Sequence, residues 1–195
     1  MKVNYVGIIG GILAFISLIL PWWTLTLSGI SMGIPVSVDV LIYPYGGTVS
    51  FMGSTISVPM STWFGSSALA LIVIGGILGI IGSIIPAKRK TLIAGGVLAL
   101  ISIIIFAAGL QIQLSALGGA SIPIPDGLSI TMPAIGLFGS GAIEIMGVSL
   151  NYTCYLSFGF WIALIASILM LAATKKAEVI PPPPTPVTAP VPPPP

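Results

Sequence analysis

The chain has 195 residues, 56% of them hydrophobic and only 5% charged, with a mean hydropathy of +1.16. Soluble domains are about a quarter charged, so this composition excludes an ordinary soluble surface and points to an integral membrane protein. With no His and a single Cys, Cys154, an intrachain disulfide is excluded, and a His-based triad, a zinc site or His-ligated haem finds no support.

Lys2 precedes an apolar run from about Tyr5 to Trp23, within the roughly 17–25 residues that a bilayer core asks of a helix. A cleaved signal peptide would share the basic start and the apolar core. No Ala-x-Ala type site follows, however, and part of the run is repeated in mid-chain, so the segment is expected to be retained. Pro21 closes this first helix, and Trp22 and Trp23 are expected at headgroup level.

From Thr24 to about Thr62 the chain is rich in Ser, Thr, Gly and Val. Val36-Ser37-Val38-Asp39-Val40 alternates as a half-buried strand does. Tyr43–Gly47 reads as a turn, and Thr48–Phe51 with Thr55–Val58 flank a Met52-Gly53-Ser54 hairpin tip. Trp63 marks re-entry to the membrane, and the second helix is predicted over about Gly65–Ile85. Pro86-Ala87-Lys88-Arg89-Lys90 forms a tight basic connection.

The third helix, about Thr91–Leu110, contains the repeat. Gly95–Ile105 matches Gly10–Leu20 at seven of eleven positions, the other four being apolar swaps. Ile34-Pro35 with Asp39 is echoed by Ile122-Pro123 with Asp126, and Met52-Gly53 by Met146-Gly147. This order predicts a tandem duplication. Residues 1–85 form one helix-loop-helix unit, 86–90 a cytoplasmic connection and 91–176 the second unit. The second loop carries β-like pieces at Leu128–Met132, Ala142–Ile145 and Val148–Tyr152. Trp161 belongs to the next aromatic belt, and the fourth helix runs to about Thr174. The Pro-rich segment 177–195 reads as an extended or disordered cytoplasmic tail. The predicted fold is therefore a membrane all-α four-helix bundle with small antiparallel β-sheets in its extracellular loops.

All six basic residues fall on one side of such a four-span arrangement, and Asp39, Asp126 and Glu144 fall on the other. The positive-inside rule then places both termini in the cytoplasm of a multi-pass cell-membrane protein. Small residues recur four apart, at Gly7 and Gly11, at Gly75, Gly79 and Ser83, and at Gly95 and Ala99. These faces let helix backbones approach closely. No Asp, Glu, Lys, Arg or His lies within a predicted span, which argues against proton-coupled transport. No catalytic residue, metal ligand or cofactor site is predicted. Asn151-Tyr152-Thr153 matches the glycosylation acceptor pattern on the outer side.

Four helices, cytoplasmic termini, a β-rich outer loop and Leu20-Pro21-Trp22-Trp23 closing the first helix together resemble the claudin-type four-span membrane proteins. The disulfide cysteines of that family are absent here. The resemblance implies that Trp22 or Trp23 packs the outer sheet onto the helices. It also implies a non-enzymatic protein that assembles laterally or between membranes. The expected function is thus a structural, assembly or interaction role through the extracellular loops. Its partners are the lipid bilayer and either further copies or other membrane proteins; nucleic acid is not among them. The alternative is an accessory subunit of an energy-transducing complex, and a passive channel is a third class.

Overall fold

The computed structural model of the chain describes residues 3–31, 33–51, 53–58, 62–85, 89–117, 121–123, 129–131, 135–145 and 148–174. Pro21 follows α1 (Tyr5–Leu18) and turns the chain into β1 (Trp23–Ser31), β2 (Ile34–Tyr43), β3 (Gly46–Phe51) and β4 (Ser54–Val58). Then come α2 (Trp63–Ile84) and α3 (Arg89–Leu117), joined through 86–88. The chain continues through β5 (Ser121–Pro123), β6 (Ser129–Thr131), β7 (Gly139–Ile145) and β8 (Val148–Leu156) to α4 (Phe158–Ala172).

Inside the helical layer the buried positions are mostly small. α1 buries Gly7, Gly10, Gly11, Ala14 and Ser17, and α2 buries Gly75, Gly76, Gly79, Gly82 and Ser83 along with Ala68 and Ile72. Many bulky isoleucines point outwards, including Ile12, Ile77, Ile104 and Ile168, while Ile72 and Ile103 are buried. Each helix is consequently apolar all round, with packing specified by the absence of side chain and not by its presence. Asn4 gathers three helix ends. Its side-chain oxygen accepts from Gly7 N at 3.4 Å, its Nδ2 donates to Ala173 O at 2.8 Å, and its backbone N–H donates to Ser83 O at 3.0 Å.

The strands form a six-stranded antiparallel sheet in the order β4-β3-β2-β1-β8-β7, with β5 and β6 as a separate pair. Ser31 pairs with Ile34 and Phe51 with Ser54, so Met32-Gly33 and Met52-Gly53 are two-residue connections. Gly33 (φ 81°) and Gly53 (φ 85°) occupy the left-handed region that a side chain would strain. Cross-strand partners share a face, and the register divides the sheet cleanly. Trp23, Leu25, Leu27, Val38, Val40, Ile42, Val49, Phe51, Ile56, Leu150, Tyr152 and Cys154 stand on one face. Thr24, Thr26, Ser28, Ser37, Asp39, Thr48, Ser50, Thr55, Asn151, Thr153 and Ser140 stand on the other, with Ile30, Leu41 and Tyr155 among its apolar exceptions. The apolar face turns to the core, where Leu110 and Leu114 of α3 meet Ile42.

This architecture corrects the predicted all-α four-helix bundle with small loop sheets. Four helices are present among the described residues, but the two loops contribute to one six-stranded sheet joined through β1 and β8. Among the described residues, only α2 and α3 are long and apolar enough to cross a membrane. At 1.5 Å per residue, α1 and α4 extend about 21 and 23 Å, against a hydrocarbon core of about 30 Å. The physical reason is that the apolar runs continue beyond the helices into strands. Pro21 stops α1 while Trp23 is already paired with Ile42, and β8 holds Leu156 two residues before α4 begins. Lys2, Met52, Lys88, Asp126, Met146, Gly147, Lys175, Lys176 and the Pro-rich segment 177–195 lie outside the described residues.

Candidate functional site at the helix–sheet junction

Two consecutive tryptophans lock the sheet to the helices. Trp22 is 0% and Trp23 1% exposed, so both lie inside the protein and not at its rim. Trp22 meets Phe106 of α3 edge-on at 4.9 Å between ring centroids and Phe160 of α4 at 6.3 Å. Its indole N–H donates to Ser17 O at 2.8 Å, which satisfies the one polar atom that burial would otherwise orphan. The Trp23 indole N–H donates to Leu137 O at 3.2 Å and so ties β1 to the segment entering β7.

The backbone reinforces this lock. Trp22 N donates to Ile42 O at 2.8 Å, Ser157 N to Trp22 O at 2.9 Å, and Gly159 N to Pro21 O at 2.9 Å. A Cβ at Gly159 would lie 2.6 Å from Leu20 O, and one at Gly65 would lie 2.7 Å from Pro44 O. Both helix starts thus need glycine where a loop carbonyl sits against them. Phe64 reaches Phe106 at 5.9 Å, which completes an aromatic chain from α2 to α4.

The predicted packing residues come together in the helical layer. Gly75 and Gly95 face each other: a Cβ on Gly75 would lie 2.8 Å from Gly95 O, and one on Gly95 would lie 2.7 Å from Gly75 O. Gly7 lies against Ser83, Gly79 against Met170, and Gly11 3.0 Å (as a built Cβ) from Gly76 O; Ala99 is fully buried. Ser83 Oγ donates to Gly79 O at 2.6 Å. Trp63 and Trp161 are 68% and 46% exposed on the outside of the junction, with the Trp161 indole N–H bonded to Leu156 O at 3.1 Å. Asn151 is exposed on β8. Phe106, Phe160, Gly65 and Gly159 were not singled out from sequence, although the Phe64-Gly65 and Gly159-Phe160 pairs at the two helix starts are a usable signal.

A hollow of about 60 Å³ lined by Ile42, Tyr43, Thr62, Phe64, Leu110, Gln113 and Leu114 lies beside the junction, well below the roughly 300–1,000 Å³ of ligand pockets. Burial is the larger influence on the Cys154 thiol and pushes its pKa above the ordinary value. A raised thiol pKa disfavours the nucleophilic thiolate. Among the described residues, no three of His, Cys, Asp and Glu come together as metal ligands could. No protein-family model matches the chain, and no curated protein matches it.

Proposed function

We propose that the chain is a non-catalytic membrane protein with a structural or assembly role, acting through its six-stranded sheet outside the membrane. The observation that carries this is the uncovered corner of the sheet's apolar face. There Phe51 and Ile56, diagonal neighbours on β3 and β4, are 47% and 65% exposed, and Ile34 is 56% exposed further along β2 on the same face; exposed apolar area of this kind marks an interaction surface. Membrane embedding is supported by the isoleucine exterior of the helices and by the length of α2 and α3. α1 and α4 lie alongside these two. Asn4, Ser83 of α2 and Ala173 gather at one end of the helical layer, opposite the sheet. By the positive-inside rule the basic residues between α2 and α3 make this end the cytoplasmic one, with both termini assigned to the same side. The burial of Trp22 and Trp23 between sheet and helices supports a claudin-like role in lateral or membrane-to-membrane assembly.

Purification in mild detergent with crosslinking should yield an oligomer or a complex with another membrane protein, and Phe51→Ser with Ile56→Ser should weaken it. A strictly monomeric species without a crosslinked partner would overturn the proposal. Co-purification with a cofactor-bearing subunit would instead identify an accessory subunit of an energy-transducing complex. Cysteines at Ser54 and Ser140, in a Cys154→Ser background, should react with impermeant reagents on intact cells. One at Ala87 should react only after permeabilisation.

A further inference from the structure

The Asn151-Tyr152-Thr153 motif lies on β8, between β1 and β7. Asn151 and Thr153 are two residues apart on an extended strand, so both stand on the hydroxyl-bearing face, and both are exposed. Tyr152 points to the opposite face and packs against the core. On its own face Asn151 is flanked by Ser28 of β1 and Ala142 of β7, with Ser149 and Thr153 along the strand. All four neighbours are small and exposed, which leaves clearance for a pyranose ring on the Asn151 amide. Beyond them runs a row with one polar side chain from each strand: Thr55, Ser50, Asp39, Thr26, Thr153 and Ser140. No Lys or Arg occurs on any of the six strands. Such a face offers hydrogen bonds to a neutral polyol. Asn151 is also five residues before Leu156, or roughly 17 Å along the strand from the end of β8, which separates it from the membrane-proximal end of the sheet.

We propose that Asn151 is N-glycosylated and that the first sugars lie across this hydroxyl-bearing face; the proposal rests on the sheet being outside the membrane. The donor is an oligosaccharide carried on a polyprenyl phosphate or pyrophosphate, used by a membrane-bound transferase. The Asn151 amide nitrogen attacks the anomeric carbon of the donor. The new C–N bond forms as the C–O bond to phosphate breaks, and its electron pair leaves with the phosphate. The amide gives up one proton to a carboxylate base of the transferase. The Thr153 hydroxyl, on the same side of the chain, is the feature by which such an acceptor is selected.

Intact mass of the full chain, expressed in a host with an oligosaccharyltransferase, tests this. Wild type and Thr153→Ser should carry the added glycan mass, whereas Asn151→Gln and Thr153→Ala should have the bare polypeptide mass. A companion cysteine at Ser28, in a Cys154→Ser background, reports on the sheet. It should react with an impermeant maleimide from outside when Asn151→Gln is also present, and several-fold more slowly when Asn151 is retained. A reactive Ser28→Cys on a chain with no added mass overturns glycosylation while leaving the membrane placement intact. An unreactive Ser28→Cys in the Asn151→Gln chain overturns both. Equal reactivity with and without the glycan overturns the seating of the sugars on the face.

Discussion

Gly10–Leu20 and Gly95–Ile105 are near-copies, yet one ends a helix and the other runs on through it. Their packing corresponds, with the partners exchanged. A Cβ on Gly10 would meet α4 at Met170 and at Ala166 O, 2.9 Å away, while one on Gly95 would meet α2 at Gly75 O and Gly79 N, both 2.7 Å away. Gly11 abuts α2 at Gly76 O, and Gly96 abuts α4 at Ser167 O. Ala14 and Ala99 are fully buried, as are Ser17 and Ser102. Beyond that the segments part. Pro21 and Trp22 turn the first into the sheet, while Phe106 carries the second on to Leu117, so that Leu110 and Leu114 support the apolar face from beneath. Helix seams are thus written in the small residues, and helix length in the two residues that follow them.

The largest expected effect lies where the segments part. Trp22→Ala should cost about 3–5 kcal/mol, the usual range for emptying a buried Trp site, as measured by unfolding in detergent. A loss below about 1 kcal/mol would mean that the Trp22–Phe106 contact does not hold sheet to helices. Next come the glycines. Gly95→Ala places its methyl against backbone atoms of Gly75 and Gly79, whereas Gly96→Ala meets the yielding side chain of Leu171 before the more distant Ser167 O. Gly95→Ala should therefore reach about 1–3 kcal/mol and Gly96→Ala clearly less. A reversed order would show that the seam is set by side chains.

Smaller still is the contrast between the paired serines. Ser102 Oγ donates across the interface to Ala68 O of α2 at 2.8 Å, but Ser17 Oγ donates to Ala14 O within its own helix at 2.7 Å. Ser102→Ala should cost about 0.5–1.5 kcal/mol, and Ser17→Ala little, since a bond back onto its own helix adds no tertiary contact. Cys154, outside both segments, gives the smallest effect. Its thiol pKa is raised in the folded protein, so its contribution to stability is complete below the ordinary thiol range. That contribution is lost as pH rises through the folded pKa. Cys154→Ala should flatten this alkaline decline in a pH series of melting temperatures.

The helices were legible because Gly, Ala and Ser recur at helical spacing within long apolar runs. Their ends were not. Leu20 to Trp23 continues the apolar run of α1, so hydropathy alone merges a helix end with the start of a strand. Strand β1 itself alternates, Thr24-Leu25-Thr26-Leu27-Ser28, but the tryptophans before it read as a membrane-interface belt and drew attention away from it. Met52-Gly53 was visible as a hairpin tip, whereas the equivalent Met32-Gly33 was not, although both glycines take positive φ. The pairing of β1 with β8 was beyond reach, since Thr26 and Thr153 meet only because the helices bring distant strands together. The junction was half legible for the same reason: Trp22 and Trp23 stood out, but Phe106 resembles any other apolar residue of α3 until Trp22 lies on it.

The contacts of Asn4 bear on how the chain could be rewired. Its amide nitrogen reaches Ala173 O at 2.8 Å, so the first and last helices meet end to end, as domain termini often do. A circular permutant that links Thr174 to Asn4 through a short flexible peptide, and opens the chain within 86–88, would begin at α3 and finish at α2. It would keep every strand pairing and exchange the order of the two related halves. Folding of this permutant to the same melting temperature would show that the covalent α2–α3 connection is dispensable, and that seams and sheet alone carry the architecture.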